Sequence, residues 1–249
     1  MFTPEGPTVR ELAVQALSSV ERGYDLLAPK FDRTPFRTPA PVLDAVRDAL
    51  CAMGPVEDGL DLCCGTGAGA RVLGAVCRGS VTGVDLSDGM LTVARSTYGQ
   101  AASASSDEGL PAPRPRWVRA DARALPFGPA FDLVVSFGAF GHFLPREWPG
   151  LFAEARRVLR PGGRFVFPLP APAPPGSPLY WSLLAFDAAM RVRNLVWRPP
   201  FVMYYRPFRL GPVREELTRA GFTVRLVALP ALGRRPDGSP RCRMVVAEA

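Results

Sequence analysis

From residue 59 onward, strand-like runs alternate with helix-like runs, and this alternation restricts the fold more than any other feature of the chain. GLDLCC precedes a helical stretch through ARVLGAVCR that is expected to end at Gly79. SVTGVD precedes SDGMLTVARSTY, with Ser87 or Asp88 as the expected N-cap. RWVRA and FDLVVSF are further apolar runs. EWPGLFAEARRVL puts Leu151, Phe152, Ala155, Val158 and Leu159 on one helical face; Pro161-Gly162-Gly163 stops it, and RFVF reads as the next strand. PVREELTRAGF has Pro212 at a helix start and Gly221 at its stop. TVRLVAL and RCRMVVAEA follow with no helix between them. Strands joined by helical crossovers pair in parallel, with helices on both faces. The expected fold is therefore α/β, a doubly wound, seven-stranded, mostly parallel sheet. The last strand is expected to turn back antiparallel through the Gly/Pro-rich residues 233–240.

Three regions depart from the alternation. Residues 1–55 read as an N-terminal helical segment, in which Val42, Val46, Leu50 and Met53 mark one helix introduced by Thr38 and Pro39. Residues 99–116 are low-complexity and read as a mobile surface loop. Residues 168–210 read as a cap insertion after the fifth strand, entered through PLPAPAPPGSP, within a domain spanning 56–249. With 249 residues, 47% of them hydrophobic, there is enough apolar surface for a sizeable core. The longest apolar stretches are broken well short of the roughly 18 residues a membrane span needs. MFTPEG has neither a basic n-region nor an h-region, so a cytoplasmic location is expected. Five cysteines without a CxxC pair, beside a single histidine, give no disulfide framework and no metal site.

The strongest local signal is Leu60-Asp61-Leu62-Cys63-Cys64-Gly65-Thr66-Gly67, a strand ending in a glycine turn that leads into a helix. Asp85 follows at the end of the second strand, where it could accept hydrogen bonds from a ribose diol. This pattern alone leaves alternatives open. Gly65-x-Gly67-x-x-Ala70 with an acid 20 residues on also satisfies the dinucleotide fingerprint, and a tight turn with no ligand is the third reading. Three features narrow the choice: Asp61 inside the first strand, Asp121 in ADARALPF at the end of the third, and PGG in RVLRPGGRFVF.

Together these motifs resemble the class I S-adenosylmethionine-dependent methyltransferases, in particular the small-molecule subgroup that includes the quinone methyltransferases. The resemblance covers residues 20–168 well and the terminal strands loosely. It implies a Rossmann-like fold and S-adenosyl-L-methionine as cofactor. It further implies that Gly65 and Gly67 line the methionine end of the cofactor, with Asp61 near its amino group. Asp85 would bind the ribose hydroxyls, and Leu86 and Met90 would pack on the adenine face. Asp121 would meet the adenine amine with Ala122 beside it, and Ser136 and Phe137 would border the methionine portion. Tyr24-Asp25 and Phe31-Asp32 echo the tyrosine–aspartate pairs of the subgroup, which brings Tyr24 and Phe31 to the cofactor side.

His142, in SFGAFGHFLP, falls just after the fourth strand, where substrate should meet the methyl group. It suits a general base near neutral pH, or it packs against or caps the helix that follows. A base is not obligatory, because in-line positioning supplies on the order of 7–11 kcal/mol. Insertions at this place form a lid in the resembling subgroup. The one here is aromatic and basic, with Trp197, Arg198, Tyr204 and Arg206 as the candidate substrate contacts. The other reading makes its aromatics the core of a helical cap with a solvated arginine face; a membrane surface is the lesser alternative.

The expected activity is in-line methyl transfer to a small, hydrophobic or aromatic molecule, without metal. An NAD-dependent oxidoreductase is the alternative on a similar fold, but Lys30, the one lysine, lacks a Tyr-x-x-x-Lys arrangement. An RNA or DNA methyltransferase is the other, and the net charge of +7 admits an anionic partner. Nucleic acid is nevertheless disfavoured. The arginines accompany abundant Ala, Pro and Gly, as a biased genomic composition would give, and no Asn/Asp-Pro-Pro-aromatic motif follows the fourth strand. The sequence specifies no oligomeric state.

Overall fold

The structure, a computed structural model, describes residues 6–104, 113–199, 201–204 and 208–249. Seven strands make one sheet: β1 (Val56–Leu62), β2 (Cys77–Asp85), β3 (Arg116–Arg119), β4 (Phe131–Val135), β5 (Leu159–Pro170), β6 (Thr223–Ala228) and β7 (Cys242–Glu248). Their order is β3-β2-β1-β4-β5-β7-β6. The pairs from β3 to β5 are parallel, and β7 lies antiparallel to both β5 and β6. The alternation of strands and helices dictates this, and the missing helix between β6 and β7 gives the one reversal.

The strands bury both faces, so successive residues supply two cores. On one face Phe165 and Phe167 of β5 and Val245 of β7 meet Leu151, Phe152 and Ala155 of α6 (Trp148–Arg157), and Val213 and Leu217 of α8 (Leu210–Arg219). On the other, Val166 of β5 and Met244 and Val246 of β7 meet Leu43, Val46 and Leu50 of α3 (Ala40–Cys51), and Val72 and Leu73 of α4 (Ala68–Gly74). A third, smaller cluster joins Met190 of α7 (Pro178–Val196) to Phe201, Met203 and Tyr204, and packs against Val20 and Tyr24 of α2 (Val20–Leu27). Helix α1 (Val9–Leu17) precedes α2, and α5 (Asp88–Ala104) connects β2 to β3.

Several boundaries differ from the sequence expectation. Helix α4 stops at Gly74, and Cys77-Arg78 already belong to β2, because Cys77 pairs with Val56 of β1. Helix α6 stops at Arg157; Leu159 pairs with Phe131, and the Pro-Gly-Gly sits inside β5. A register shift between Phe131 and Leu133 accommodates it. Helix α5 runs to Ala104, so residues 99–104 are helical rather than loop, while 105–112 lie outside the described residues. Helix α8 begins at Leu210, ahead of Pro212. Pro168, Leu169 and Pro170 are not linker: they extend β5 and pair with Met244, Arg243 and Cys242.

Candidate functional site

The strand order reverses at β1, which has β2 on one side and β4 on the other. Ligands of open α/β sheets bind outside the carboxyl ends of the strands at such a point. Here a cavity of about 490 Å³ opens there. Its floor is the turn after β1. The N–H of Gly65 donates to Asp85 Oδ2 at 2.8 Å, and the N–H of Ser87 donates to Oδ1 at 2.9 Å. Burial pushes the Asp85 carboxyl above its ordinary range, and these two bonds oppose the shift. Asp85 is thus fixed at the cavity wall with lone pairs to spare.

Asp61 lies deeper, beneath the start of α4. A Cβ at Gly69 would collide with its carboxylate, so glycine there is what admits the acid. Asp61 is 1% exposed, and its Oδ2 has no hydrogen-bond partner among the described residues. Burial pushes its carboxyl up to about 8, against the backbone N–H groups of Ala70 and Gly69. A buried carboxyl oxygen without a partner is costly, and a cationic ligand group such as an ammonium would satisfy it.

The adenine-side candidate, Asp121, holds Arg123 in a fork: Nε lies 2.9 Å from Oδ1 and Nη2 lies 2.7 Å from Oδ2. Arg123 also reaches Glu147. The guanidinium keeps Asp121 charged by lowering its pKa. The sequence reading missed both Arg123 and Gly69; the third glycine of Gly65-x-Gly67-x-Gly69 was the available signal for the latter.

The N-terminal segment forms the roof. Asp25 Oδ1 accepts from Ser87 Oγ at 2.6 Å and from the N–H of Gly89 at 2.9 Å. Asp32 Oδ1 accepts from Thr66 Oγ1 at 2.8 Å. These bonds fasten the segment to the start of α5 and to the glycine turn, and bring Tyr24, Phe31 and Phe36 over the cavity. Beneath them, His142 Nδ1–H donates to the Val202 carbonyl at 2.8 Å, which leaves Nε2 to accept from Tyr24 Oη at 2.8 Å. Burial lowers the His142 pKa, so the ring is neutral.

The cavity gathers the expected Tyr24, Phe31, Asp61, Gly65, Asp85 and Leu86. Met90, Asp121, Ala122, Phe137 and His142 join them. Two candidates are displaced from it. Gly67 turns toward Trp117, where a Cβ would sit 2.7 Å from the indole, and its carbonyl accepts from Tyr98 Oη. Ser136 is buried below the floor and donates to the Leu62 carbonyl, tying β4 to β1. Among the described residues the insertion supplies Val202 to the lining, and not Trp197, Arg198 or Tyr204. Trp197 is half exposed and donates to the Leu17 carbonyl. Arg198 is exposed. Tyr204 is buried in the third cluster, with its N–H donating to the Gly141 carbonyl. Arg206 lies outside the described residues. The aromatic character of the acceptor side comes instead from the roof and from Phe137 and Phe143.

Residues 60–163 match a methyltransferase domain model. An O-methyltransferase of Penicillium expansum is 36% identical over 108 residues, which are 43% of this chain and 36% of that protein. The ubiquinone/menaquinone biosynthesis C-methyltransferase of Paracoccus denitrificans is 39% identical over 110 residues, 43% of this chain and 40% of that protein. This chain spans less than two thirds of the length of these curated relatives. Among solved structures, a putative O-methyltransferase from Nostoc punctiforme superposes with a TM-score of 0.65 at 18% identity, covering 94% of this chain and 62% of that one. Magnesium protoporphyrin IX methyltransferase from Synechocystis, solved with bound SAH, gives 0.56 at 20% identity, covering 83% and 80%. With the strand order, the glycine turn and the acids at the strand ends, these matches make the chain similar to the class I S-adenosylmethionine-dependent methyltransferases, with a methyltransferase domain match over residues 60–163.

Proposed function

We infer that the chain transfers a methyl group from S-adenosylmethionine to a small, hydrophobic or aromatic molecule. The observation that carries this is Asp61, a buried carboxyl with its Oδ2 unpartnered among the described residues, in the same cavity as Asp85 and Asp121. The three acids match a ligand with one amino group, one ribose and one adenine. Asp61 would take the ammonium, Asp85 the ribose hydroxyls and Asp121 the adenine amine, with Leu86 and Met90 as the apolar wall. The cofactor supplies an electrophilic methyl when bound.

The remaining work falls to the chain's own residues. The aromatic roof excludes water and orients an apolar acceptor. His142 is held as the Nδ1–H tautomer by Val202, so its Nε2 lone pair can draw a proton through Tyr24 Oη from an acceptor hydroxyl. Relatives with related chemistry include a C-methyltransferase of ubiquinone/menaquinone biosynthesis and a 2-phytyl-1,4-naphtoquinone methyltransferase. A quinol or phenol is the acceptor class inferred here. The five free thiols suit a reducing compartment, and the cytoplasm is the inferred location. Incubation with methyl-labelled S-adenosylmethionine and a panel of quinols and phenols, read by mass spectrometry, tests this. A labelled product is expected. Binding of NAD without binding of S-adenosylmethionine would sink it.

A further inference from the structure

Helix α7 is partly inverted relative to an ordinary surface helix, although Met190 stays buried in the third cluster. Three of its polar residues, Asp187, Arg193 and Asn194, face inward: Asp187 is buried, and Arg193 donates to the carbonyls of Ser18 and Pro199. Asn194 Nδ2 donates to the Phe201 carbonyl, and its Oδ1 accepts from the Phe201 N–H. Several apolar residues on the opposite side of the helix face out. Trp181, Val192, Leu195 and Val196 are 58%, 61%, 83% and 73% exposed. Helix α1 repeats the inversion, with Gln15 buried while Val14 and Leu17 are exposed. Trp197 bridges the two helices, its indole N–H donating to the Leu17 carbonyl at 3.0 Å. One apolar face therefore runs from α7 across Trp197 onto α1. Faces of this kind mark interaction sites.

On the α7 part of this face the charges have one sign. Arg191 and Arg198 are exposed beside it, and no carboxylate among the described residues pairs with either. Arg191 instead lies over the Tyr204 ring, 5.0 Å from its centroid. Asp187, the one acid between residues 168 and 210, is turned inward.

We propose that this face of α7 and α1 docks on an anionic lipid surface. Acyl chains take Leu195 and Val196, the headgroup boundary takes the indoles, and lipid phosphates take Arg191 and Arg198. A second copy of the chain fits less well, because an isologous two-fold contact would bring these arginines toward the same arginines of the partner. No helix of the described residues is long and apolar enough to cross a membrane, so α7 lies along the surface. Val202, five residues after Trp197 in the sequence, lines the cavity. Docking itself does not depend on the chemistry in the cavity.

Vesicle sedimentation of the full chain tests the proposal, with phosphatidylcholine alone compared with phosphatidylcholine containing phosphatidylglycerol. Affinity for the anionic vesicles is expected to be at least about tenfold higher, with a blue shift of tryptophan emission. Leu195→Glu combined with Val196→Glu should lower that affinity about tenfold or more, with circular dichroism and melting unchanged. Leu17→Glu, on the other helix, should act in the same direction. The proposal fails if wild type does not sediment with anionic vesicles, or if the variants bind them as well as wild type. It also fails if sedimentation velocity shows a dimer that the variants abolish while no vesicle binding occurs; the face would then join two copies.

Discussion

Asp61 is an acid that water does not reach, and its proton is the most sensitive reporter of the site. The folded carboxyl keeps that proton up to about 8, whereas the ordinary value is 3.8. Between these values the folded state binds more protons than the unfolded state, so stability falls as pH rises. Wild type should therefore lose melting temperature relative to Asp61→Asn as pH is raised through this window, which thermal unfolding in a pH series checks. A ligand ammonium reverses the balance. Binding of S-adenosylhomocysteine at neutral pH should release protons, read by calorimetry in buffers of different ionisation heats, and Asp61→Asn should abolish the release. His142 behaves oppositely to Asp61. Burial lowers its pKa, so the stability it contributes is present above the ordinary histidine value and is lost as pH falls through that value. His142→Gln should lower kcat by about 10²-fold with cofactor affinity retained. A variant with undiminished kcat would show that the ring only packs.

The roof elements are held by few bonds, which makes them testable one at a time. Asp25→Ala removes the acceptor shared by Ser87 and Gly89, and Asp32→Ala removes that of Thr66. Each should weaken S-adenosylhomocysteine binding by about 1–3 kcal/mol in calorimetry, with circular dichroism unchanged. Gly23 of α2 packs on Phe201, where a Cβ would come 2.7 Å from the ring. Gly23→Ala should cost about 1–3 kcal/mol in denaturant unfolding. The central elements were legible in the sequence because local pattern and global fold agree there: β1, its turn and α4 form one uninterrupted statement. Legibility failed where tertiary pairing overrides local preference. Cys77-Arg78 continue a helical pattern but pair with β1, and Pro168–Pro170 look like linker but pair with β7. The site was legible at the strand ends, where Asp85 and Asp121 stand. It was not legible in the insertion, because a helical period locates a face without saying which way it points. Trp197 and Arg198 were placed at the substrate for their chemistry, and the fold turns them outward.

Over the whole molecule, ligand binding and stability are linked by mass action. S-adenosylhomocysteine at about 100-fold over its Kd should add about 2.7 kcal/mol of stability. For a chain of this size that is about 2–4 °C of melting temperature per kcal/mol. NAD at the same concentration should leave the melting temperature unchanged, and differential scanning calorimetry separates the two. The roof over the cavity is also a candidate way out of it. Asp25 and Asp32 fasten it by short hydrogen bonds on two sides of the glycine turn and α5. On the proposed function, a spent cofactor that leaves past the roof would break and remake these fastenings in each cycle. Steady-state turnover should then slow as solvent viscosity is raised, while a single turnover, mixed and quenched before exit, keeps its rate.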